Sequence, residues 1–330
     1  MISGGDGSPA GERPREIRHS NPEHGGVTLV DWMLGNSCNF ACSYCPAGQH
    51  DGTIRWQRPE AVIAFYDRLH AHYVAGQGRR VWLQFTGGEP TVYPGLMRIL
   101  DEAHARGFQV SLISNGSRTR RFWDRLVERL DAAILTYHDE FADHGRFIEI
   151  AGMIARRIPL GVNVTAHPDR FDAILAAAAD IREAAPGAWV SVKPLRKEFG
   201  SELYDYTPGQ LATMAGWKGG GRADATVPRG TMTAVMADGT EAQTRANQFI
   251  LSGTNRWRGY GCAAGLESLR VKGSGQVQRA VCGSGGPLGM LDEAFELPVA
   301  PIRCDRDRCS CLADILITKR LAPAPSAAVA

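Results

Sequence analysis

No stretch of this chain approaches the ~20 consecutive apolar residues that a membrane helix needs. Its most apolar helical run, "FDAILAAAADI", is short and flanked by charge. The opening segment, "MISGGDGSPAGERPREIRHSNPEHGG", scatters charges without an apolar core, so no secretory signal is expected there and a cytoplasmic protein is. Neither sign of charge is in excess: 37 Lys and Arg face 35 Asp and Glu, for a net charge of +2. That balance argues against a dedicated nucleic-acid or membrane-surface partner. Cysteine is scarce in the middle of the chain. Of eight cysteines in 330 residues, none lies between Cys45 and Cys262. A disulfide framework belongs to small secreted domains, so metal ligation is the better reading of both cysteine groups.

What the sequence does have is an alternation. From residue 27 to about 200, short β-branched runs ("VTLVDWML", "VWLQF", "QVSLIS", "AAILTY", "PLGVNVTA", "WVSVKPL") are separated by helical periods. Val62, Tyr66, Leu69 and Tyr73 fall on one helical face, with Pro59 suited to the first turn. Leu96, Ile99, Leu100 and Ala103 make a second stripe that Gly107 is placed to end. Strands alternating with helices imply parallel pairing through right-handed crossovers. Six such units make an open doubly wound sheet or a barrel, complete or partial, with its chemistry at the C-terminal strand ends. The unusual residues of the sequence sit at those ends.

The first of them is "GNSCNFACSYCPAG", with Cys38, Cys42 and Cys45 in eight positions. A structural zinc site takes four ligands, and here only His50 is near enough to be a fourth. Three thiolates fit better with an iron–sulfur cluster that leaves one iron open, since four cysteines normally close a [4Fe–4S] cluster. At the end of the second strand stands "FTGGEP", with Gly87, Gly88 and Glu89, and at the end of the third "ISNGS", with Ser114 and Asn115.

C-x₃-C-x₂-C after a first strand and GGEP after a second resemble the radical S-adenosylmethionine (SAM) superfamily. The resemblance implies a partial (β/α)6 TIM-like barrel and a radical enzyme. Cys38, Cys42 and Cys45 would hold a [4Fe–4S] cluster whose open iron chelates the amine and carboxylate of SAM. Tyr44 would lie near the adenine. The Gly87–Gly88 backbone and Glu89 would hold the SAM ammonium. Ser114 and Thr136 match hydroxyl positions that contact SAM in relatives, and Asn163 would add a further contact. Many relatives carry Ser-x-Asp where this chain has Thr136-Tyr137-His138. His138 is therefore open to a substrate hydrogen bond, a general-base role or a structural one. The implied chemistry is reductive cleavage of SAM to a 5′-deoxyadenosyl radical, with the electron from an external flavodoxin- or ferredoxin-type donor.

The second group comprises Cys262, Cys282, Cys304, Cys309 and Cys311, the first two flanking a glycine-bearing hairpin. It resembles the small Cys-rich Twitch or SPASM extensions of this superfamily, which implies one auxiliary [4Fe–4S] cluster on four of the five thiols. Cys262, Cys282, Cys304 and Cys309 are favoured, Cys311 competes, and Cys₄ zinc is the alternative. The expected organisation is an irregular segment over 1–26, a core barrel over 27–200, and a connecting helix and hairpin over 201–258. An auxiliary-cluster domain over 259–319 and a disordered tail over 320–330 complete it. Only about twenty-six residues precede the first strand, too few for a peptide-leader recognition domain. That favours a small-molecule substrate, such as a sugar, aminocyclitol or nucleoside derivative, over a ribosomal peptide. The expected net reaction is dehydrogenation, epimerisation or a related rearrangement. Candidate substrate contacts are Tyr137, His167, Lys193 and Arg196, with His50, Asp169 and Lys197 nearby. A non-catalytic iron–sulfur or zinc scaffold would explain the cysteines but not GGEP, Ser114 and Thr136 at successive strand ends.

Overall fold

The computed structural model describes residues 13–200, 202–222, 225–309 and 311–321. They divide into two units: residues 30–228 with 271–276, and a smaller one drawn from residues up to 29, 229–270 and 277 onward.

In the larger unit the expected strands are all present: β1 (Val27–Met33, its last four residues in this unit), β2 (Arg80–Thr86), β3 (Gln109–Ser114), β4 (Ala132–Tyr137), β5 (Leu160–Ala166) and β6 (Trp189–Pro194). They lie side by side in chain order, and β2 through β6 pair in parallel. Between consecutive strands run α1 (Pro59–Leu69), α2 (Leu96–Ala105), α3 (Arg120–Leu126), α4 (His144–Ala155) and α5 (Phe171–Ala184). This is the expected six-unit half-barrel. Among the described residues no helix is long and apolar enough to cross a membrane.

Local signals explain the boundaries. Pro59 opens α1, where its missing N–H costs nothing. The helix goes on past Leu69 as a π-helical turn over His70–Ala75, in which Tyr73 is still buried. α2 ends where Gly107 takes φ +71°, and Phe108 N–H turns back to the Ala103 carbonyl at 3.1 Å. The Thr119 and Asp143 side chains cap α3 and α4. Trp32, Phe65, Tyr66 and Phe85 pack edge-on or tilted in the core beneath β1 and β2, their ring centroids 5.6–5.9 Å from Trp32.

The smaller unit is a six-stranded sheet ordered 302–303, 260–262, 319–321, 16–19, 232–235 and 241–244, antiparallel wherever its registers are defined. The hairpin expected in "TMTAVMADGTEAQTRA" is there, turning at Gly239 with φ +90°. The helix expected at "TPGQLATMAGW" spans Pro208–Gly216 in the larger unit and begins with a Thr207–Gln210 capping box. Two expectations need correction. The stretch before the first barrel strand is not irregular throughout: Glu16–His19 is a strand paired on both sides. Its single apolar residue, Ile17, lies between charged neighbours, so pattern alone gave no signal. Likewise residues 320–321 end a strand; the rest of the expected tail, 322–330, lies outside the described residues, as do residues 1–12.

Leu112 is fully buried at the centre of β3. Leu112→Ala should cost about 2–5 kcal/mol of stability by urea unfolding, while Leu211→Ala, on an exposed face, should stay within about 0.5 kcal/mol of wild type.

Candidate active site

The Cys38–Cys45 loop leaves β1 and is held from three sides. Asn36, fully buried, donates to Gly48 O (2.9 Å) and Asp51 Oδ1 (2.7 Å) and accepts from Ile54 N–H (2.8 Å). Glu140, just past β4, accepts from the Ser43 N–H (2.7 Å) and hydroxyl (2.5 Å) and from Arg170 (3.2 Å). Arg170 also pairs with Asp139 at 2.5 Å.

The third side is the GGEP turn. The Glu89 N–H donates to the Ser37 carbonyl at 2.9 Å. Gly87 and Gly88 take φ +90° and +52°. A Cβ on Gly88 would come within 2.1 Å of the Ser37 carbonyl oxygen, and one on Gly87 within 2.7 Å of the Gly35 oxygen. Only glycine allows the two backbones to approach this closely.

Glu89 itself is 1% exposed. Its Oε1 accepts from Thr91 N–H (2.9 Å), the Thr91 hydroxyl (2.6 Å) and the Ser114 hydroxyl (2.8 Å), and its Oε2 from Asn115 N–H (2.7 Å). Burial nonetheless pushes its carboxyl above the ordinary glutamate range, against those four donors. A carboxylate offers about four acceptor sites across two oxygens, and Oε2 has used one of its own.

Cys38, Cys42, Cys45, Gly88, Glu89, Ser114, Thr136 and His138 line one cavity. Burial raises all three thiols, Cys42 and Cys45 to about 11, and their mutual repulsion adds to it. Asn115 Nδ2 lies 3.9 Å from the Cys38 sulfur and 3.0 Å from Asn39 Oδ1.

The expected site residues divide unevenly. His50 lines the cavity, its Nδ1 buried without a hydrogen bond. Ser114 spends its hydroxyl on Glu89 and on accepting from Gly116 N–H at 3.1 Å, so it orients the carboxylate. Tyr44 is buried, its ring stacked on His138 at 5.9 Å and its hydroxyl against His138 and Thr165. Asn163 sits opposite Thr136 in register and accepts from Ser191 at 3.0 Å. Tyr137 is not brought to the cavity. Strand alternation sends Thr136 and His138 inward, and Tyr137 packs on Phe147 (5.1 Å) and His144 (5.7 Å). His167 caps the turn at Pro168 and packs on Tyr204, which itself packs against the cluster of Cys42, Tyr44 and Leu195; His167 is not among the lining residues. Lys193 and Arg196 lie beyond the lining too. Lys193 is exposed. Sequence reading missed Asn36, Asn115 as a cysteine neighbour, Glu140 and Thr165. Asn36 and Asn115 lie inside the quoted stretches and Glu140 and Thr165 outside any spaced motif, but the roles of all four come from contacts formed only on folding.

In the smaller unit Cys262, Cys304 and Cys309 are buried in one cluster with Trp257, Tyr260 and Ile315, and Cys282 packs against it. Burial raises Cys262 and Cys309 and lifts Cys282 to about 12; the Lys319 charge pulls Cys262 and Cys309 the other way. Asp314 accepts from the Cys282 N–H at 2.5 Å. Cys311 stands at the N-cap of the helix Leu312–Ile315 and is not in that cluster. Among the described residues no three His, Cys, Asp or Glu side chains stand close enough to hold a single metal ion.

A parallel α/β half-barrel that gathers three thiols, a glycine pair and a buried carboxylate at its C-terminal strand ends is a cofactor-binding enzyme scaffold. Residues 32–184 match the family described as the radical SAM superfamily, so this part of the chain is a radical SAM domain. It is similar to an S-adenosylmethionine-dependent nucleotide dehydratase of Fibrobacter sp. (strain UWH6), 30% identical over 94 residues, 27% of each chain. It is also similar to the mycofactocin maturase MftC of Mycobacterium ulcerans (strain Agy99), 31% identical over 101 residues, 29% of this chain and 25% of that one. The chain thus spans about a quarter of the length of these relatives. Among solved structures, anSMEcpe with bound AdoMet aligns with a TM-score of 0.50 at 16% identity, over 82% of this chain and 79% of that one. Streptococcus suis SuiB bound to the precursor peptide SuiA aligns at 0.52 and 11%, over 82% and 62%. At these identities the structural likeness concerns the fold.

The residues present fit the [4Fe–4S] cluster and SAM that this family implies. Three mutually repelling thiols face a cavity whose wall includes a desolvated carboxylate, so a metal cluster and an ammonium would each relieve an electrostatic cost.

Two measurements check this geometry. Gly88→Ala should lower stability by at least 1–3 kcal/mol, on the order of strained-backbone costs, as a downward shift of the urea midpoint. Glu140 is buried in part, but its bonds from Ser43 and Arg170 outweigh that and hold its carboxyl below the ordinary range. Its contribution is therefore complete above the unfolded value near 4.3 and lost as pH falls through the lower folded value. The stability gap between wild type and Glu140→Ala should be widest near about pH 6 and close towards about pH 3.

Proposed function

We propose that this chain is a radical SAM enzyme acting on a small hydroxyl-bearing molecule, a sugar, aminocyclitol or nucleoside derivative. The observation that carries the reading is the convergence of Cys38, Cys42, Cys45, Gly88 and Glu89 on one cavity. In this reading the three thiolates hold a [4Fe–4S] cluster, and the free capacity of Glu89 Oε2 takes the ammonium of SAM. Gly87 and Gly88 bring backbone close to the bound cofactor, and Ser114 with Asn115 fixes the Glu89 carboxylate. Thr136 and His138 form the neighbouring wall, facing the rest of the ligand. Held there, a reduced cluster with SAM would supply radical chemistry able to remove a hydrogen atom from an unactivated C–H bond of the substrate. The protein's part is to hold the reactants against each other and keep water from the radical.

Cys262, Cys282, Cys304 and Cys309 are assigned to an auxiliary [4Fe–4S] cluster serving as electron partner. Support comes from the burial of Cys262, Cys304 and Cys309 in one cluster, against which Cys282 packs. A net oxidation of the substrate, or an epimerisation, follows from an electron partner within the same chain. The relatives' names leave a peptide substrate as the second reading, since one is a maturase and SuiB binds a precursor peptide.

Anaerobic iron and sulfide counting tests the assignment. About eight irons per chain are expected, falling to about four in the Cys38/Cys42/Cys45→Ala variant and to about four in Cys262/Cys282/Cys304/Cys309→Ala. Four irons in wild type that vanish with the first triple variant would remove the auxiliary cluster.

A further inference from the structure

His138, at the end of β4, stands in a chain of hydrogen bonds whose direction follows from counting protons. The Thr165 hydroxyl donates its one proton to the Tyr137 carbonyl at 3.0 Å, since a carbonyl only accepts. Thr165 Oγ1 is 3.0 Å from the Tyr44 hydroxyl, so that contact takes the Tyr44 proton. Tyr44 has none left for His138 Nδ1, 2.8 Å away, and a bond there requires the proton on Nδ1. The outcome is the same if the Tyr44 proton turns to the neighbouring Cys42 sulfur instead.

The ring is held in place by Tyr44 stacked at 5.9 Å and Phe40 edge-on at 6.2 Å. Burial pushes the imidazole down to about 4 against the pull of Asp139 and Glu140, so at neutral pH it is uncharged. With the proton on Nδ1, Nε2 carries a lone pair. His138 lines the cavity, and Nε2 makes no hydrogen bond among the described residues.

We propose that Tyr44, Thr165 and the Tyr137 carbonyl lock His138 in the Nδ1–H form, making Nε2 a fixed hydrogen-bond acceptor for an O–H or N–H of the bound ligand. The donor has two sources of the same chemistry: the adenine amine of SAM, or a hydroxyl of the second substrate. His138 is then a specificity residue. It rejects a ligand that presents an acceptor at that point and favours one that presents a donor. Tyr44 and Thr165 are positioning residues, acting through the ring.

The assignment of the ligand rests on the SAM reading above, but the tautomer does not, and the test separates them. The full-length chain is labelled with ¹⁵N-histidine, and His138 is identified among the nine histidines by its loss in His138→Leu. At neutral pH the ring should show Nδ1 protonated and Nε2 bare, and Tyr44→Phe should abolish that fixed form. A wild-type ring protonated on Nε2 overturns the proposal. SAM is then added and its affinity measured in wild type and His138→Leu. A moved Nε2 resonance with about tenfold weaker SAM binding in the variant identifies the adenine amine as donor. An unmoved resonance with equal affinities overturns the adenine amine as the donor. If SAM binds neither protein while the tautomer is as stated, the proposed function fails and the hydrogen-bond relay stands.

Discussion

The arrangement of the larger unit's site depends on one close approach, that of the GGEP turn to the backbone leaving β1. Gly88 sits where a Cβ would come within 2.1 Å of the Ser37 oxygen, and the next residue bonds that same oxygen through its N–H at 2.9 Å. This contact ties the end of β2 to the loop holding Cys38, Cys42 and Cys45. It also fixes the backbone from which the Glu89 carboxylate reaches the end of β3, where Ser114 and Asn115 donate to it. Three successive strand ends are thereby joined through one buried, charge-capable group. Burying such a group is costly unless it is fully hydrogen-bonded. Thr91, Ser114 and Asn115 meet most of that need, and the remainder gives the site its attraction for a cation.

Electrostatics then gives the cavity its polarity. The thiols on one side are raised by burial and mutual repulsion, and the carboxyl on the other by burial. A cavity that disfavours every negative charge on its wall is one that positive charge stabilises, which is what a metal cluster and a sulfonium-bearing amino acid bring. The outer clamp of Glu140 on Ser43 has a different character. It is a hydrogen-bonded contact between the cysteine loop and the segment after β4, and it holds the loop without entering the cavity.

Much of this was legible in the sequence because it is written locally. The strand–helix alternation of residues 27–200 gives the half-barrel, and the spacing of three cysteines with Gly-Gly-Glu forty residues later gives the site. What stayed hidden depends on direction and on distant partners. Tyr137 and His138 are adjacent in sequence, yet the pleat of β4 sends one into the helix layer and the other into the cavity. Ser114 reads as a ligand contact by its place in a motif; that its hydroxyl also donates to Glu89 while the residue lines the cavity emerges only in the fold. Thr165 carries no motif at all, and its part emerges only where β5 brings it beside Tyr44. Ile17 is too isolated among charges to announce the strand it occupies.

The central claim is that the cavity holding Cys38, Cys42, Cys45 and Glu89 cleaves SAM. The most direct measurement is release of 5′-deoxyadenosine when the anaerobic, iron–sulfur-loaded chain is reduced with dithionite in the presence of SAM. Formation by wild type, abolished in Cys42→Ala while the urea midpoint of that variant stays close to wild type, is the predicted result. No 5′-deoxyadenosine from a wild-type chain carrying its full complement of iron, or equal amounts from both proteins, would contradict the account.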